Sequence, residues 1–135
     1  MKPEDKELLL KDLCARLPYG VKVDRLGKTF TLASVFPNRG VVFLDDGDST
    51  EYEFFVDEAP IKPYLRPMSS MTEEEIIEFN NIPSTKNYTI IENDLPWAVA
   101  HYKQIDWLNK KMFDFRGLIP KDIALSTEEY NHYKD

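Results

Sequence analysis

The sequence predicts one α+β domain, in which a small curved antiparallel sheet packs against an N-terminal helix and two C-terminal helices. Three patterns predict this fold: amphipathic helical spacing at the N-terminus, alternating apolar and polar residues in the rest of the first half, and apolar residues at helical spacing in the second half. The chain of 135 residues has the length of a single domain. Its predicted parts are the N-terminal helix at 1–17, an antiparallel meander at 18–58, a proline-rich connector at 59–72 and a mainly helical half at 73–135.

The first helix is predicted over residues 3–17. Pro3 suits a first helical position, and the acidic residues of the first turn complement the helix dipole. Pro18 and Gly20 end the helix. One apolar stripe at helical spacing should face the core: Leu9, Leu10, Leu13, Cys14 and Leu17. We expect Cys14 to be a packing residue rather than a nucleophile, because apolar surroundings raise the pKa of a thiol.

The meander is predicted to contain four short strands joined by tight turns, in a strongly curved sheet or small barrel. Val21 and Val23 alternate with polar residues, and Asp46-Gly47 is a favoured hairpin dipeptide. The acidic stretch around that dipeptide superficially resembles a calcium loop. Counting from Asp46, however, the sixth position holds Glu51 where an EF-hand needs glycine, so we expect a plain hairpin.

The helical half begins with a capping box, Thr72 with Glu75, which predicts a helix at about 73–81. Its packing residues should be Ile76, Ile77 and Phe79. Residues Tyr88–Ile91 are a candidate fifth strand.

A last long helix is predicted from Asp94 to Met112. Its core-facing residues should be Tyr102, Ile105, Leu108 and Met112, which recur every three to four positions. A compact turn over 113–120 should follow, with Gly117 breaking the helix. The tail from Ser126 is predicted to be a short, frayed helix.

Composition excludes several classes of function. The net charge is -7, and residues 1–60 carry 12 acids and 8 bases while residues 61–135 carry 12 acids and 9 bases. This general acidity disfavours direct nucleic-acid binding, which needs a basic surface. A single cysteine excludes an internal disulfide framework, and His101 and His132 lack the clustered neighbours of a metal site. With no apolar leader or membrane-length run, we expect a cytoplasmic protein without metal, cofactor or membrane contact.

The connector offers the first candidate binding surface. In an extended chain Lys62, Tyr64 and Arg66 share one side, while Ile61 and Leu65 point the other way and should be buried. Such a basic-aromatic face suits a protein partner. The alternative is that the two cations pair with the abundant acids and Tyr64 packs between the halves.

A second candidate binding surface surrounds the end of the last helix, at Trp107, Phe113, Phe115 and Arg116. Exposed aromatic and arginine side chains are typical anchors of protein interfaces. The alternative is that these rings belong to the core. No set of residues has the spacing of a catalytic centre, so no catalytic residue is predicted.

Three segments are similar to a family of small uncharacterised proteins from anaerobic gut bacteria and their mobile elements, including prophages. These segments are Leu-Pro-Tyr-Gly-Val at 17–21, the stretch from Ile61 to Thr72, and Asp-Trp-Leu-Asn at 106–109 together with Phe-Asp-Phe-Arg-Gly-Leu-Ile at 113–119. The resemblance implies a mobile-element setting. It implies no activity, cofactor or catalytic residue.

The favoured hypothesis is therefore a non-catalytic protein-interaction domain. The alternative is an acidic inhibitor or nucleic-acid mimic acting on a DNA- or RNA-processing enzyme, which would need its acids on one continuous face. The acids in question are Asp45, Asp46, Asp48, Glu51, Glu53, Asp57 and Glu58. A second alternative is an unrecognised enzyme with polar groups in a pocket, such as Tyr64, Arg66, His101 or Arg116.

Overall fold

A computed structural model describes residues 1–82, 102–129 and 133. The described part is α+β, with one open mixed sheet of six strands and three helices. The strands are β1 (Lys22–Arg25), β2 (Lys28–Phe36), β3 (Val41–Asp45), β4 (Glu51–Phe55), β5 (Ile61–Leu65) and β6 (Leu125–Ser126). The helices are α1 (Pro3–Arg16), α2 (Glu73–Asn80) and α3 (Tyr102–Lys110).

The sheet has the order β4-β3-β2-β1-β5-β6. The predicted four-stranded meander is confirmed, since β1 to β4 pair antiparallel with their neighbours in sequence. Two predictions about the rest of the sheet were wrong. The connector is a fifth strand, with Pro63 opposite Val23, and β6 pairs with it in parallel, so the sheet is mixed. Proline has a φ compatible with a strand and lacks only the donor, so Pro63 does not prevent pairing.

Contact between β1 and β4 shows that the sheet curls. The Arg25 guanidinium carbon lies 3.9 Å from the centre of the Phe54 ring. In a flat sheet the two intervening strands would separate β1 from β4 by about 14 Å, beyond the combined reach of these side chains. The main apolar cluster lies between this sheet and α1 and includes Leu9, Leu13 and Val23.

The buried face of α1 differs from the predicted stripe. Leu9, Asp12, Leu13 and Arg16 are all fully buried, and they follow the i, i+3, i+4, i+7 spacing of one helix face. Cys14 is exposed, so its predicted core position was wrong. It follows Leu13 by one residue, which turns its side chain about 100° away from the buried face.

The capping box of α2 is confirmed. The Thr72 hydroxyl accepts from the Glu75 backbone N–H at 3.1 Å, and the Glu75 carboxylate accepts from the Thr72 N–H at 3.0 Å. The packing face was predicted wrongly for Ile76 and Ile77, which are 45% and 61% exposed. Only Phe79 of the predicted trio is half-buried, because α2 contacts α3 along that side.

The last helix is described from Tyr102 onward, so its predicted start at Asp94 lies outside the described residues, as does the candidate strand Tyr88–Ile91. Leu108 and Met112 are buried as predicted, and Ile105 is half-buried. Tyr102 is 43% exposed, which corrects its predicted core position. It lies at the first described turn of α3, whereas the buried residues lie near the helix end.

The turn after α3 is compact, as predicted. The Asp114 carboxylate accepts from the Leu118 N–H at 2.7 Å and from the Ile119 N–H at 2.9 Å, and Gly117 has a φ of 80°. The predicted tail helix was wrong at its start, because Ser126 belongs to β6 and residues 127–129 form a turn. Within the described ranges, no helix has the length and apolar character required to cross a bilayer.

Candidate interaction site

The predicted connector face is divided between surface and interior. Ile61 and Leu65 are buried and the side chains of Lys62 and Arg66 are partly exposed, as predicted. Tyr64, however, is only 3% exposed, and its hydroxyl lies 3.4 Å from the Thr29 hydroxyl. The two cations, Lys62 in β5 and Arg66 directly after it, are therefore partly accessible, whereas the ring between them is not.

Arg66 joins β5 to α2 and to the turn after α3. Its guanidinium forms two hydrogen bonds of 2.7 Å with the Glu75 carboxylate and lies 4.1 Å from the centre of the Phe113 ring. Its backbone bonds to Met112 and Asp114. The hydrogen bonds from Arg66 lower the pKa of Glu75 to about 2, with further help from the Thr72 backbone. Arg66 is thus a structural cross-link with limited capacity to bind anything else.

Trp107 continues this cross-link towards α2. Its ring stacks on Phe113, with centres 5.7 Å apart and planes at 19°, and it also contacts the Phe79 ring, with centres 5.5 Å apart and planes at 54°. The series Arg66–Phe113–Trp107–Phe79 therefore ties together β5, α3 and α2. Such stacked rings stabilise by about 0.5–1.5 kcal/mol per pair beyond their burial.

A second network, centred on Asp12, lies between α1 and the end of α3. The Arg16 Nε donates to the Asp12 carboxylate at 2.9 Å, and Arg116 Nη1 donates to Asp12 Oδ1 at 2.6 Å and to Asn109 Oδ1 at 3.0 Å. Arg16 Nη2 also donates to the Phe113 carbonyl at 2.6 Å. One fully buried carboxylate thus serves two guanidinium groups.

Phe115 and Arg116, two of the predicted binding residues, belong to this second network. The Phe115 ring lies 4.2 Å from the Arg116 guanidinium carbon and 5.7 Å from that of Arg16. Burial lowers the pKa of Arg116, and the charge of Asp12 opposes that shift. The structure therefore places Arg66 with Trp107 and Phe115 with Arg116, while Lys62 lies apart, paired with Asp122 at 3.1 Å.

Sequence reasoning missed Asp12 and Arg16, although a signal for them was available. They share the i, i+3, i+4, i+7 face with Leu9 and Leu13, and they are four residues apart, which suits a helical ion pair. Neither network presents a nucleophile next to a base. Among the described residues, no group of three acidic, histidine or cysteine side chains is placed to hold a metal ion.

The most accessible candidate surface is β4, the first strand in the sheet order. Its backbone pairs with β3 on one side, and no strand of the described part lies on its other side. The Asp46 N–H bonds to the Thr50 carbonyl and the Val56 N–H to the Gly40 carbonyl. Because such bonds alternate in an antiparallel pair, the N–H groups of Glu51, Glu53 and Phe55 point outward from the sheet.

The side chains of β4 combine exposed aromatic and acidic groups. Tyr52 is 40% exposed and Phe55 44% exposed. Tyr52 stacks against Phe54 with centres 6.2 Å apart, and the rings of both contact Phe30. Glu51 and Glu53 are also exposed. In the part of the chain that the structure describes, this free edge of β4 therefore offers backbone N–H donors flanked by rings and negative charge.

The acids of the β3–β4 hairpin do not all face solvent as free carboxylates. Asp45 accepts from the Gly47 N–H, and Asp46 accepts from the Asp48 N–H and the Tyr52 hydroxyl. The bond from the Asp48 backbone lowers the pKa of Asp46, and the Asp46 carboxylate raises the pKa of Tyr52. These two acids stabilise the turn, whereas Glu51 and Glu53 of β4 are exposed.

Comparison with known proteins adds no relative: no family model, curated protein or solved structure matches this chain.

Proposed function

We propose that this protein is a non-catalytic interaction domain that binds an extended, basic segment of a partner along the free edge of β4. One observation carries the proposal: the outward N–H groups of Glu51, Glu53 and Phe55 lie on the terminal strand of the sheet, beside exposed rings and carboxylates. A strand added to such an edge gains backbone hydrogen bonds for affinity and side-chain contacts for specificity.

Charge supports a basic partner. Glu51 and Glu53 are exposed on β4, Glu58 is exposed shortly after it, and the whole chain has a net charge of -7. Complementary charge accelerates encounter and disfavours partners of the wrong sign. The same acids would oppose pairing of this edge with a second copy of the chain, because like charges on facing edge strands repel each other.

The acidic hairpin also supports a second candidate, an inhibitor that imitates nucleic acid. Asp48, Glu51 and Glu53 are exposed in the hairpin, but the carboxylates of Asp45 and Asp46 accept hydrogen bonds within the turn. A mimic needs a continuous face of free carboxylates. The interruption by Asp45 and Asp46, and the rings of Tyr52 and Phe55, favour binding of a protein strand.

We further propose a cytoplasmic, prophage or mobile-element setting for this binding function. Its support is the similarity of three segments, at 17–21, at 61–72 and at 106–109 with 113–119, to small proteins of anaerobic gut bacteria and their mobile elements.

The decisive experiment compares Glu53→Pro with Glu53→Ala. Both variants remove the same charge, but only proline removes the outward N–H, and neither change touches the ladder with β3. The probe is a fluorescent, strand-forming peptide that alternates lysine and valine. Its controls are a glutamate–valine peptide and a lysine–valine peptide interrupted by prolines.

We expect the basic peptide to bind and both control peptides to bind at least about tenfold more weakly, a difference of about 1.4 kcal/mol. Glu53→Pro should weaken binding roughly tenfold more than Glu53→Ala, since a hydrogen bond to the edge is lost. Circular dichroism should show that both variants fold. Equal affinities for the two variants, or equal binding of the proline-interrupted peptide, would refute strand addition at β4.

A further inference from the structure

A cleft of about 340 Å³ lies between the start of α1, the segment that joins β4 to β5, and the turn at Asp122. This volume falls within the range of small-ligand sites, about 300–1,000 Å³. Its floor is apolar and made of buried side chains from four segments: Leu9, Val56, Ile61 and Ile123. A ligand here would lay a hydrocarbon portion on that floor.

The rim of the cleft is acidic. Among the described residues, four carboxylates line it together with two cations, the Lys62 ammonium and the terminal ammonium of Met1. The acids come from three separate parts of the chain: Asp5 from α1, Asp57 and Glu58 from the segment after β4, and Asp122 from the C-terminal turn. Negative charge therefore surrounds the apolar floor.

Two of these carboxylates already bind ammonium groups of the chain itself. Lys6 Nζ lies 2.5 Å from Asp57 Oδ2, and Lys62 Nζ lies 3.1 Å from Asp122 Oδ1. Asp5 and Glu58 form no ion pair with any described residue. Two carboxylates beside an apolar floor thus remain for cations from outside the chain.

We propose that this cleft binds a free aliphatic diamine or polyamine. A methylene chain covers the apolar floor and removes it from water, which stabilises by about 0.8 kcal/mol per buried CH₂. Its terminal ammonium groups pair with Asp5 and Glu58, as those of Lys6 and Lys62 pair with Asp57 and Asp122. A lysine side chain of a protein partner supplies one ammonium, whereas the rim offers two unpaired carboxylates.

The site shares Glu58 with the acids proposed to attract a basic partner, but it does not use the outward N–H groups of the β4 edge. Glu53→Pro should therefore leave diamine binding unchanged, which separates the two proposals. The test is calorimetric titration of the full chain with 1,4-diaminobutane and its longer homologues up to 1,7-diaminoheptane. Butylamine, magnesium chloride at matched ionic strength and a short lysine-containing peptide serve as comparison ligands. Diamines should bind with a dissociation constant below about 1 mM and at least roughly tenfold more tightly than butylamine.

Variants that make the same charge change inside and outside the cleft distinguish binding at this site from attraction by the net negative charge of the chain. Asp5→Asn and Glu58→Gln should each weaken diamine binding roughly tenfold, because each removes one charge-assisted hydrogen bond. Glu4→Gln, an exposed acid outside the lining, makes the same charge change and should leave affinity unaltered. Ala59→Phe fills the cleft without changing its charge and should abolish binding.

Several results would overturn the proposal. Equal losses in Glu4→Gln and Glu58→Gln would show attraction by net charge alone. If butylamine binds as tightly as the diamines, the second ammonium group makes no contact with the cleft. If the lysine peptide binds more tightly than the diamines, the ligand of the cleft is a protein partner. Undiminished binding to Ala59→Phe would place the amines elsewhere.

Discussion

Asp12 and Arg116 form a hydrogen-bonded ion pair of 2.6 Å although 104 residues separate them in the chain. The Asp12 side chain is fully buried, and it also holds Arg16. Because this carboxylate is the counter-charge for two guanidinium groups, its removal would leave both without their main partner. The pair therefore connects α1 to the turn after α3 through a contact in which each charge depends on the other.

Asp12→Ala should be strongly destabilising. Breaking a buried ion pair by removing one partner typically costs about 3–5 kcal/mol, because an uncompensated charge stays in the interior. Urea denaturation measures the free energy of unfolding, and exposed Lys11→Ala on the same helix is the control, with an expected change within about 0.5 kcal/mol. A loss below about 1 kcal/mol for Asp12→Ala would show that the network contributes little.

Truncation of the adjacent residues Leu13 and Cys14 to alanine should change the free energy of unfolding by very different amounts. Leu13 is fully buried, so Leu13→Ala should cost about 2–5 kcal/mol. Cys14 is exposed, so Cys14→Ala should change stability by less than about 0.5 kcal/mol. The same urea measurement serves both variants. Equal losses for the two would mean that α1 is rotated relative to the sheet.

Glu75 should make stability depend on acid pH. Its pKa in the folded protein is about 2, below its ordinary value of 4.5, because Arg66 binds the carboxylate. A lowered pKa stabilises the fold fully above the unfolded-state value, and this contribution disappears as the pH falls towards the folded-state value. Wild type should therefore melt at a higher temperature than Glu75→Gln at pH 7, and the difference should vanish between pH 4.5 and 2.

The neighbouring acid Glu74 provides the control for that measurement. Glu74→Gln makes the same charge change in the same helical turn, but Glu74 is exposed and has no contact with Arg66. Its melting difference from wild type should stay small over this pH range. A Glu75→Gln difference that is constant from pH 7 to pH 2 would contradict the lowered pKa.

Arg66 and Lys62, two cations of the connector, should differ in their contribution to stability. Arg66→Ala removes two hydrogen bonds to Glu75 and the contact with Phe113. Bonds to charged groups contribute about 1.5–3 kcal/mol each, so a loss of that order is expected. Lys62→Ala removes one bridge to exposed Asp122 and should cost under about 1 kcal/mol. Similar losses for both would argue against the Arg66 cross-link.

Local signals in the sequence predicted the elements well. The capping box at Thr72 and Glu75 and the hairpin dipeptide at Asp46 act within a few residues, so the sequence pattern carries them directly. The connector was predicted to be extended with Ile61 and Leu65 buried, and the structure has both features. These predictions needed no knowledge of distant parts of the chain.

Contacts between residues that are far apart in the sequence could not be predicted from these local patterns. Strand β5 pairs with residues 40 positions earlier, Val23 opposite Pro63, and 61 positions later, Leu125 opposite Tyr64. The two prolines predicted an extended connector but did not indicate which segments it pairs with.

The sequence alone indicates only that Asp12 and Arg16 are polar. Their burial is explained by distant partners, because Arg116 donates to Asp12 and the Phe113 carbonyl accepts from Arg16. The position of β4 at the edge of the sheet was also not predictable from local patterns, because it depends on the order of all the strands.

The position of β6 has a consequence for synthesis on the ribosome. Strand β5 is complete at residue 65, yet its outer neighbour in the sheet is Leu125–Ser126. Until that segment emerges, the outer edge of β5 lacks this neighbour, and Arg16 in α1 likewise lacks its carbonyl acceptors near residue 113. Contacts of such long sequence separation slow folding, because loop closure must precede their gain. The nascent chain should therefore reach its native sheet late, after nearly all of these residues have left the exit tunnel.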